Sequence, residues 1–298
     1  MADPAPSPEA PPGASCTVQT FTAGDGYRWR YRQYAPPCEP RAHVACLHGI
    51  QSHGGWYQYS CEQLQRDGFL VSFLDRRGAG LNEQDRGDAP SFRRLLDDIA
   101  EFLAPAQPVP VLLAGISWGA KLAVALQRRH PGLVDGLALL CPGFFPRVRP
   151  PLAQRLGILW GRLVSPRKLF PIPLNRPDLF TATPHWQQFI RDDSLSLRQA
   201  TARLLLESVR LDGYLRFAPR YVRVPILLLL AGKDRIIHNA PTRRYVSRFA
   251  AHDQEVIEYA GAHHTLEFEP EPDHFLADLK RWLGRIARDS PRHAGSSR

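Results

Sequence analysis

Short apolar runs alternate with amphipathic stretches along most of the chain. The runs near 43–48, 69–75, 109–115, 134–141 and 224–231 are apolar and too short for stable helices, and 254–259 reads as a short alternating strand. Strands covered on both faces read as unbroken apolar segments of roughly 4–8 residues, whereas a strand with one wet face alternates. Between these runs, apolar residues recur at helical spacing near 56–67, 91–104, 118–130 and 240–251, with a closing amphipathic helix at about 273–288. Strand and helix in alternation predict an α/β fold, a mostly parallel central sheet flanked by helices. Residues 17–35 read as two edge strands, the second alternating through Tyr27-Arg28-Trp29-Arg30-Tyr31-Arg32-Gln33-Tyr34.

The rhythm breaks between about 144 and 218. Pro146, Pro150, Pro151, Pro166, Pro171, Pro173, Pro177 and Pro184 punctuate this stretch, which carries no strand pattern. Leu152 to Val164 is apolar over much of a helical circumference, and Leu197, Ala200, Leu204, Leu205 and Val209 make a helical stripe. An all-helical insertion between two strands of the sheet is the expectation. The segments 1–15 and 290–298 are rich in Pro, Ala, Ser and Gly and read as disordered ends. The first of them lacks the basic and apolar regions of a signal peptide.

Chemistry enters at Gly115-Ile116-Ser117-Trp118-Gly119. The apolar run Val109–Ala114 leads into this G-x-S-x-G, and the helical stretch Ala120–Gln127 leads out. A nucleophile elbow has this strand, turn and helix order, with glycines where a side chain would collide with neighbouring elements. A serine hydroxyl needs a base and a group that orients the base. Downstream, Val224–Leu230 ends in Ala231-Gly232-Lys233-Asp234, and Glu255–Tyr259 runs into Ala260-Gly261-Ala262-His263-His264. Asp234 and the histidine pair therefore follow Ser117 in the order serine, acid, histidine, each at the carboxyl end of a strand, where open parallel sheets place their sites. Asp75 and Asp212 are alternative acids; Asp75 reads as a brace for the turn after it. Upstream, the strand Ala45–Leu47 breaks at His48-Gly49-Ile50, the position of a loop that supplies one oxyanion N–H. The two donors are assigned to Ile50 and Trp118, with Gly49, Gly115 and Gly119 as the loop and elbow glycines.

These pieces resemble an α/β-hydrolase of the monoacylglycerol lipase and lysophospholipase group, which is grouped with serine aminopeptidases. The resemblance rests on HGIQSHGGWY (His48–Tyr57), LDRRGAG (Leu74–Gly80), GISWG, AGKDRII (Ala231–Ile237) and YAGAHHTLEFE (Tyr259–Glu269), and spans roughly residues 17 to 287. It implies that the base is His264, third after the glycine of an aromatic-x-Gly-x-x-His pattern, and not His263. Thr265 departs from the pattern, since lipase-like members often carry Glu there. The resemblance also implies that 144–218 is a helical cap over the site, between core segments 16–143 and 219–289. The activity implied is hydrolysis of a small-molecule ester, possibly a lipid, through an acyl-serine, with no cofactor. Competing readings are a thioesterase, an aminopeptidase holding its substrate's amine with Asp192, Asp193 or Glu207, and a non-catalytic binding module. His53 and Gln51, near the oxyanion loop, read either as contacts for a polar head group or as ordinary loop hydrogen-bonding residues.

Composition narrows the field further. No apolar run approaches the ~18 residues of a membrane span. Five cysteines form no C-x-x-C pair and leave one over, which reads as a reduced, cytoplasmic protein. No histidine spacing indicates a metal, and no glycine-rich loop indicates a nucleotide. The net charge of +9 is spread through every segment, not gathered on a nucleic-acid-binding module. Genome-driven arginine usage accounts for it, and weak contact with an anionic membrane surface is its functional reading.

Overall fold

Eight strands form the central sheet of the computed structural model, which describes residues 16–105 and 108–290. In chain order they are β1 (Cys16–Thr22), β2 (Arg28–Tyr34), β3 (His43–Leu47), β4 (Leu70–Leu74), β5 (Val111–Ile116), β6 (Gly136–Leu140), then, after the insertion, β9 (Ile226–Ala231) and β10 (Gln254–Tyr259). Their spatial order is β1-β2-β4-β3-β5-β6-β9-β10. From β4 to β10 every pairing is parallel, and β2 runs antiparallel to both its neighbours. All residues of β3, β5, β6 and β9 are buried, as unbroken apolar strands under two helical layers must be.

Helices α1 (Gln58–Arg66), α2 (Phe92–Leu103), α3 (Trp118–Arg129), α7 (Asn239–Val246) and α8 (Asp273–Asp289) cover the sheet. In α8, Phe275, Leu276, Leu279, Trp282, Leu283 and Ile286 repeat at helical spacing and are all buried. The helix expected over 240–251 stops earlier, where the Ser247 N–H turns back to the carbonyls of Arg243 and Tyr245. The predicted disordered ends, 1–15 and 291–298, lie outside the described residues. Ser290, placed in the tail by sequence, is instead buried, with its hydroxyl donating to Asp135 at 2.9 Å.

Register sets the position of the site. Leu47 pairs with Leu74 on one side and with Gly115 on the other, Gly115 with Leu139, and Ala231 with Tyr259. The loops after β3, β4, β5, β6, β9 and β10 therefore open at one edge of the sheet, and Ile50, Asp75, Ser117, Asp234 and His264 all lie in them.

Between β6 and β9 come α4 (Leu152–Val164), β7 (Leu169–Pro171), α5 (Pro184–Asp192), β8 (Gln199–Thr201) and α6 (Ala202–Leu215). Sequence predicts no strand here, yet β7 and β8 pair antiparallel as a separate two-stranded sheet. Strands of three residues, one ending in proline, are too short to show any period. Leu197 and Ala200 do not share a helix with Leu204. Helix α6 begins at Ala202, capped by the Thr201 hydroxyl, which accepts from the Leu204 N–H at 3.1 Å. Polar bonds tie this insertion to the core: Arg203 pairs with Asp88, Lys121 with Asp212 at 2.6 Å, and the Thr181 hydroxyl donates to the Phe268 carbonyl at 3.0 Å.

Candidate active site

Ser117 occupies the turn between β5 and α3 with φ 51° and ψ −115°, a conformation that L-residues rarely adopt. Tight packing holds it there. A Cβ on Gly115 would stand 2.6 Å from the Ala120 Cα, and one on Gly119 would stand 2.3 Å from the Leu47 carbonyl oxygen. The Ser117 N–H donates to the Leu140 carbonyl at 2.9 Å, and its own carbonyl accepts from the Gly143 N–H at 2.9 Å. The serine is thus locked by backbone on both sides while its hydroxyl points away from the turn.

That hydroxyl lies 2.9 Å from His264 Nε2, and His264 Nδ1 lies 2.7 Å from Asp234 Oδ2. The other oxygen of Asp234 accepts from the N–H groups of Ile236 and Ile237 at 2.7 and 2.9 Å, which fixes the carboxylate's orientation. Asp234 and His264 are both buried. Since the carboxylate accepts at Nδ1, Nδ1 carries the ring proton and Nε2 is free to receive the serine's. His263 faces elsewhere: its backbone N–H and its Nδ1 both meet Glu269, at 2.9 and 3.1 Å. Of the alternative acids, Asp75 pairs with Arg32 at 2.8 Å and accepts from the Gly54 and Leu81 N–H groups, bracing the turn, while Asp212 is held by Lys121.

Gly49 sits against the serine; a Cβ added there would lie 3.4 Å from the Ser117 Cβ. The N–H groups of Ile50 and Trp118 have no acceptor among the described residues. Trp118 begins α3, where the helix dipole favours negative charge. Its indole N–H donates to the Ser208 hydroxyl at 2.9 Å, linking the elbow to α6.

The insertion reaches the site through aromatic rings. Phe180 lies 6.1 Å from the His264 ring, and Trp56, Trp186, Phe189 and Phe268 continue the cluster. The Thr265 N–H donates to the Phe180 carbonyl at 2.9 Å, so the loop bearing His264 is pinned from above. His53, a candidate head-group contact by sequence, is closed off by Asp193 at 2.9 Å, which also accepts from the Trp56 indole and the Ser196 hydroxyl. Sequence reasoning assigns Asp193 to a different task, and only the three-dimensional closure of 193 onto 53 shows this one.

One group of metal-capable side chains is present among the described residues. Donor atoms of Cys141, Asp234 and His264 lie within 4.8 Å of one another. Asp234 and His264 are already engaged with each other and with Ser117, and burial lifts the Cys141 thiol pKa well above its ordinary value. A bound metal would have to break the relay.

Glu267, three residues after His264, is buried and accepts from the backbone N–H and hydroxyl of Ser60. Burial pushes its pKa from 4.5 up to about 7, against the pull of those hydrogen bonds. A carboxyl whose folded pKa exceeds its unfolded one is bound to a proton in the fold before it is in the open chain. Stability from this group is thus full below pH 4.5 and is lost as pH rises to about 7. Glu267→Gln keeps the shape without the ionisation, and a shift of this size corresponds to about 3 kcal/mol. We expect the variant's stability relative to wild type in urea titrations to rise by about that much between pH 4.5 and pH 7.5. A difference independent of pH would show that Glu267 stays ionised in the fold.

Residues 38–271 match the family described as serine aminopeptidase, S33. Phospholipase YtpA of Bacillus subtilis is 24% identical over 237 residues, which cover 78% of this chain and 91% of that protein. A monoacylglycerol lipase of Mycolicibacterium smegmatis is 26% identical over 274 residues, covering 89% of this chain and 95% of that protein. A soluble variant of monoglyceride lipase from Saccharomyces cerevisiae, solved with a substrate analogue, superposes with a TM-score of 0.81 at 18% identity, over 94% of this chain and 100% of that one.

Proposed function

The chain belongs to the serine aminopeptidase S33 family, and from that premise we propose that it cleaves carboxylic esters of lipid-like substrates through an acyl-serine. The observation that carries this reading is the unbroken relay from Asp234 through His264 to Ser117, at 2.7 and 2.9 Å. As Ser117 attacks the ester carbonyl, His264 Nε2 takes its proton, and Asp234 stabilises the imidazolium. The Ile50 and Trp118 N–H groups receive the oxyanion, whose charge exists only in the tetrahedral state. Collapse expels the alcohol with the proton from His264, and water repeats the sequence to release the acid.

Ester chemistry is favoured over removal of N-terminal residues by the state of the inserted carboxylates. Asp193 is closed on His53, Glu207 on Arg210 and the Phe92 N–H, and Asp192 accepts from Gln188 at the surface. A phospholipase and a monoacylglycerol lipase among the relatives point to a lipid-like acyl or alcohol part. Five free thiols suit a reducing, cytoplasmic setting.

No helix among the described residues is long and apolar enough to cross a membrane, yet α4 presents an apolar face to solvent. Leu152, Leu156, Leu159, Trp160 and Leu163 follow helical spacing and are all exposed, Leu163 by 78%. Exposed Arg149, Arg155 and Lys168 flank them. Apolar side chains seat in the head-group boundary while neighbouring cations meet anionic lipid. In this reading α4 is the face that rests on an anionic membrane.

One experiment tests both statements. Soluble p-nitrophenyl esters of increasing acyl length are compared with a monoacylglycerol held in vesicles, with or without anionic phosphatidylglycerol. Wild type should turn over the soluble esters, and should act on the vesicles several-fold faster when they are anionic. The double variant Leu159→Glu/Leu163→Glu should keep soluble-ester turnover and lose the anionic advantage. Failure to cleave any soluble ester would sink the esterase reading; indifference to vesicle charge would sink the membrane face alone.

A further inference from the structure

Two arginines stand side by side after β4, and their surroundings differ. Arg77 is matched by carboxylates: its Nε and Nη2 donate to Asp98 at 2.7 and 2.6 Å, and its Nη1 meets Asp25 at 2.9 Å. Arg76 is also buried, yet no carboxylate among the described residues pairs with it. Its Nη1 donates instead to the Gly49 carbonyl at 2.9 Å and its Nη2 to the Ile50 carbonyl at 2.5 Å. The guanidinium carbon lies 5.1 Å from the centroid of the Trp118 ring, and Nε has no partner. Burial lowers the Arg76 pKa to about 9, which still leaves a cation at neutral pH.

His48 completes the arrangement. The Arg76 backbone N–H donates to His48 Nε2 at 3.1 Å. With Nε2 accepting, Nδ1 carries the ring proton and donates to the Gly49 carbonyl at 2.7 Å. Burial and the adjacent Arg76 charge hold the His48 pKa well below its ordinary value, so the ring stays neutral. The Gly49 carbonyl thus receives two donors, one of them charged. That carbonyl and the Ile50 N–H are the two ends of one peptide group. Hydrogen bonds in a chain polarise one another, so drawing electrons toward the carbonyl oxygen makes the N–H a stronger donor.

We propose that Arg76 is a positioning residue for acyl transfer, polarising the Gly49–Ile50 peptide so that the Ile50 N–H binds the oxyanion more strongly. The same guanidinium braces Trp118, the second donor residue, through its ring. This inference rests on the esterase reading above. The carboxylate whose charge acts on Arg76, Asp75, is bonded to Arg32 and not to it; a buried cation with no direct ion pair costs the fold stability, so its presence between the two assigned oxyanion donors is accounted for by the reaction and not by packing.

The test compares wild type with Arg76→Met and Arg76→Lys on a soluble p-nitrophenyl ester. It also measures inhibition by a trifluoromethyl ketone, which adds to the serine and places a full oxyanion in the hole. Losing a whole oxyanion donor costs about 10²- to 10³-fold, so weakening one should lower kcat of Arg76→Met by about 10- to 100-fold. KM should stay within about twofold, and ketone affinity should fall in parallel with kcat/KM. Arg76→Lys should recover part of both losses, since an ammonium can reach one of the two carbonyls. The thermal midpoint of Arg76→Met should stay level or rise, whereas a merely structural arginine would lower it.

Unchanged kcat, a loss confined to KM, or a fall in kcat with undiminished ketone affinity would each overturn the proposal. Should Arg76→Met not fold, Arg76→Lys and Arg76→Gln carry the same comparison. An inactive wild type would sink the esterase reading and this inference with it; an active wild type matched by its Arg76 variants would sink this inference alone.

Discussion

Ser117→Ala is expected to abolish steady-state ester turnover, with a loss on the order of 10⁵- to 10⁶-fold in kcat. The change removes one oxygen atom, and that oxygen's partner is His264 Nε2 at 2.9 Å. Nothing else in the relay can replace it: Asp234 lies on the far side of the imidazole, and Cys141 is a buried thiol whose pKa burial has raised. The fold should be indifferent. Alanine at φ 51° meets the same steric penalty as serine, and the bonds that lock the turn run through backbone atoms of Ser117 and not its side chain. The decisive comparison sets wild type and variant side by side on one ester, with circular dichroism and thermal unfolding of both. A variant that unfolds early would mean that the hydroxyl is structural. A folded variant with wild-type turnover would mean that the chemistry lies elsewhere.

The backbone of this molecule is legible in its sequence because burial on both faces leaves a plain mark. Ile226–Ala231 and Val111–Ile116 can be found as strands without a template, since no helix surface or one-sided strand sustains such apolarity. The order serine, acid, histidine is legible for a related reason: each residue stands in the loop after a strand of the parallel sheet, so the register of the sheet brings the three loops together. Features made by tertiary closure leave no such mark. His263 and His264 follow the same strand and differ by one residue. The turn that aims one at Ser117 and the other at Glu269 is decided by hydrogen bonds to Glu269 on one side and to Asp234 and Ser117, far earlier in the chain, on the other. Arg76 and Arg77 are adjacent and chemically identical, and only the fold distributes Asp98 to one and the Gly49 and Ile50 carbonyls to the other. The short strands β7 and β8 are set by pairing across 28 positions of chain, from Pro171 to Gln199. Their sequences have no period of their own to read.

Asp234→Asn is the second large effect, expected to lower kcat by about 10⁴-fold with little change in folding. The two roles of this side chain come apart in the variant. Oδ1 accepts from the Ile236 and Ile237 N–H groups, and an asparagine oxygen can accept both in the same place. The amide nitrogen then replaces Oδ2 at 2.7 Å from His264 Nδ1. An amide N–H facing Nδ1 requires that nitrogen to accept, which moves the ring proton to Nε2. A protonated Nε2 cannot take the proton of Ser117, and the cation that would follow the transfer has lost its counter-charge. Both faults act on the transition state and neither on substrate binding, so kcat should take the loss while KM holds. Thermal unfolding should show the loop still anchored, because the bonds that hold it to the core involve the atom that does not change. Near-normal turnover in a folded Asp234→Asn would remove this residue from the relay. A large loss of kcat shared equally with a collapsed unfolding midpoint would instead mean that the carboxylate acts as an anchor for the loop, and that orientation of His264 comes from elsewhere.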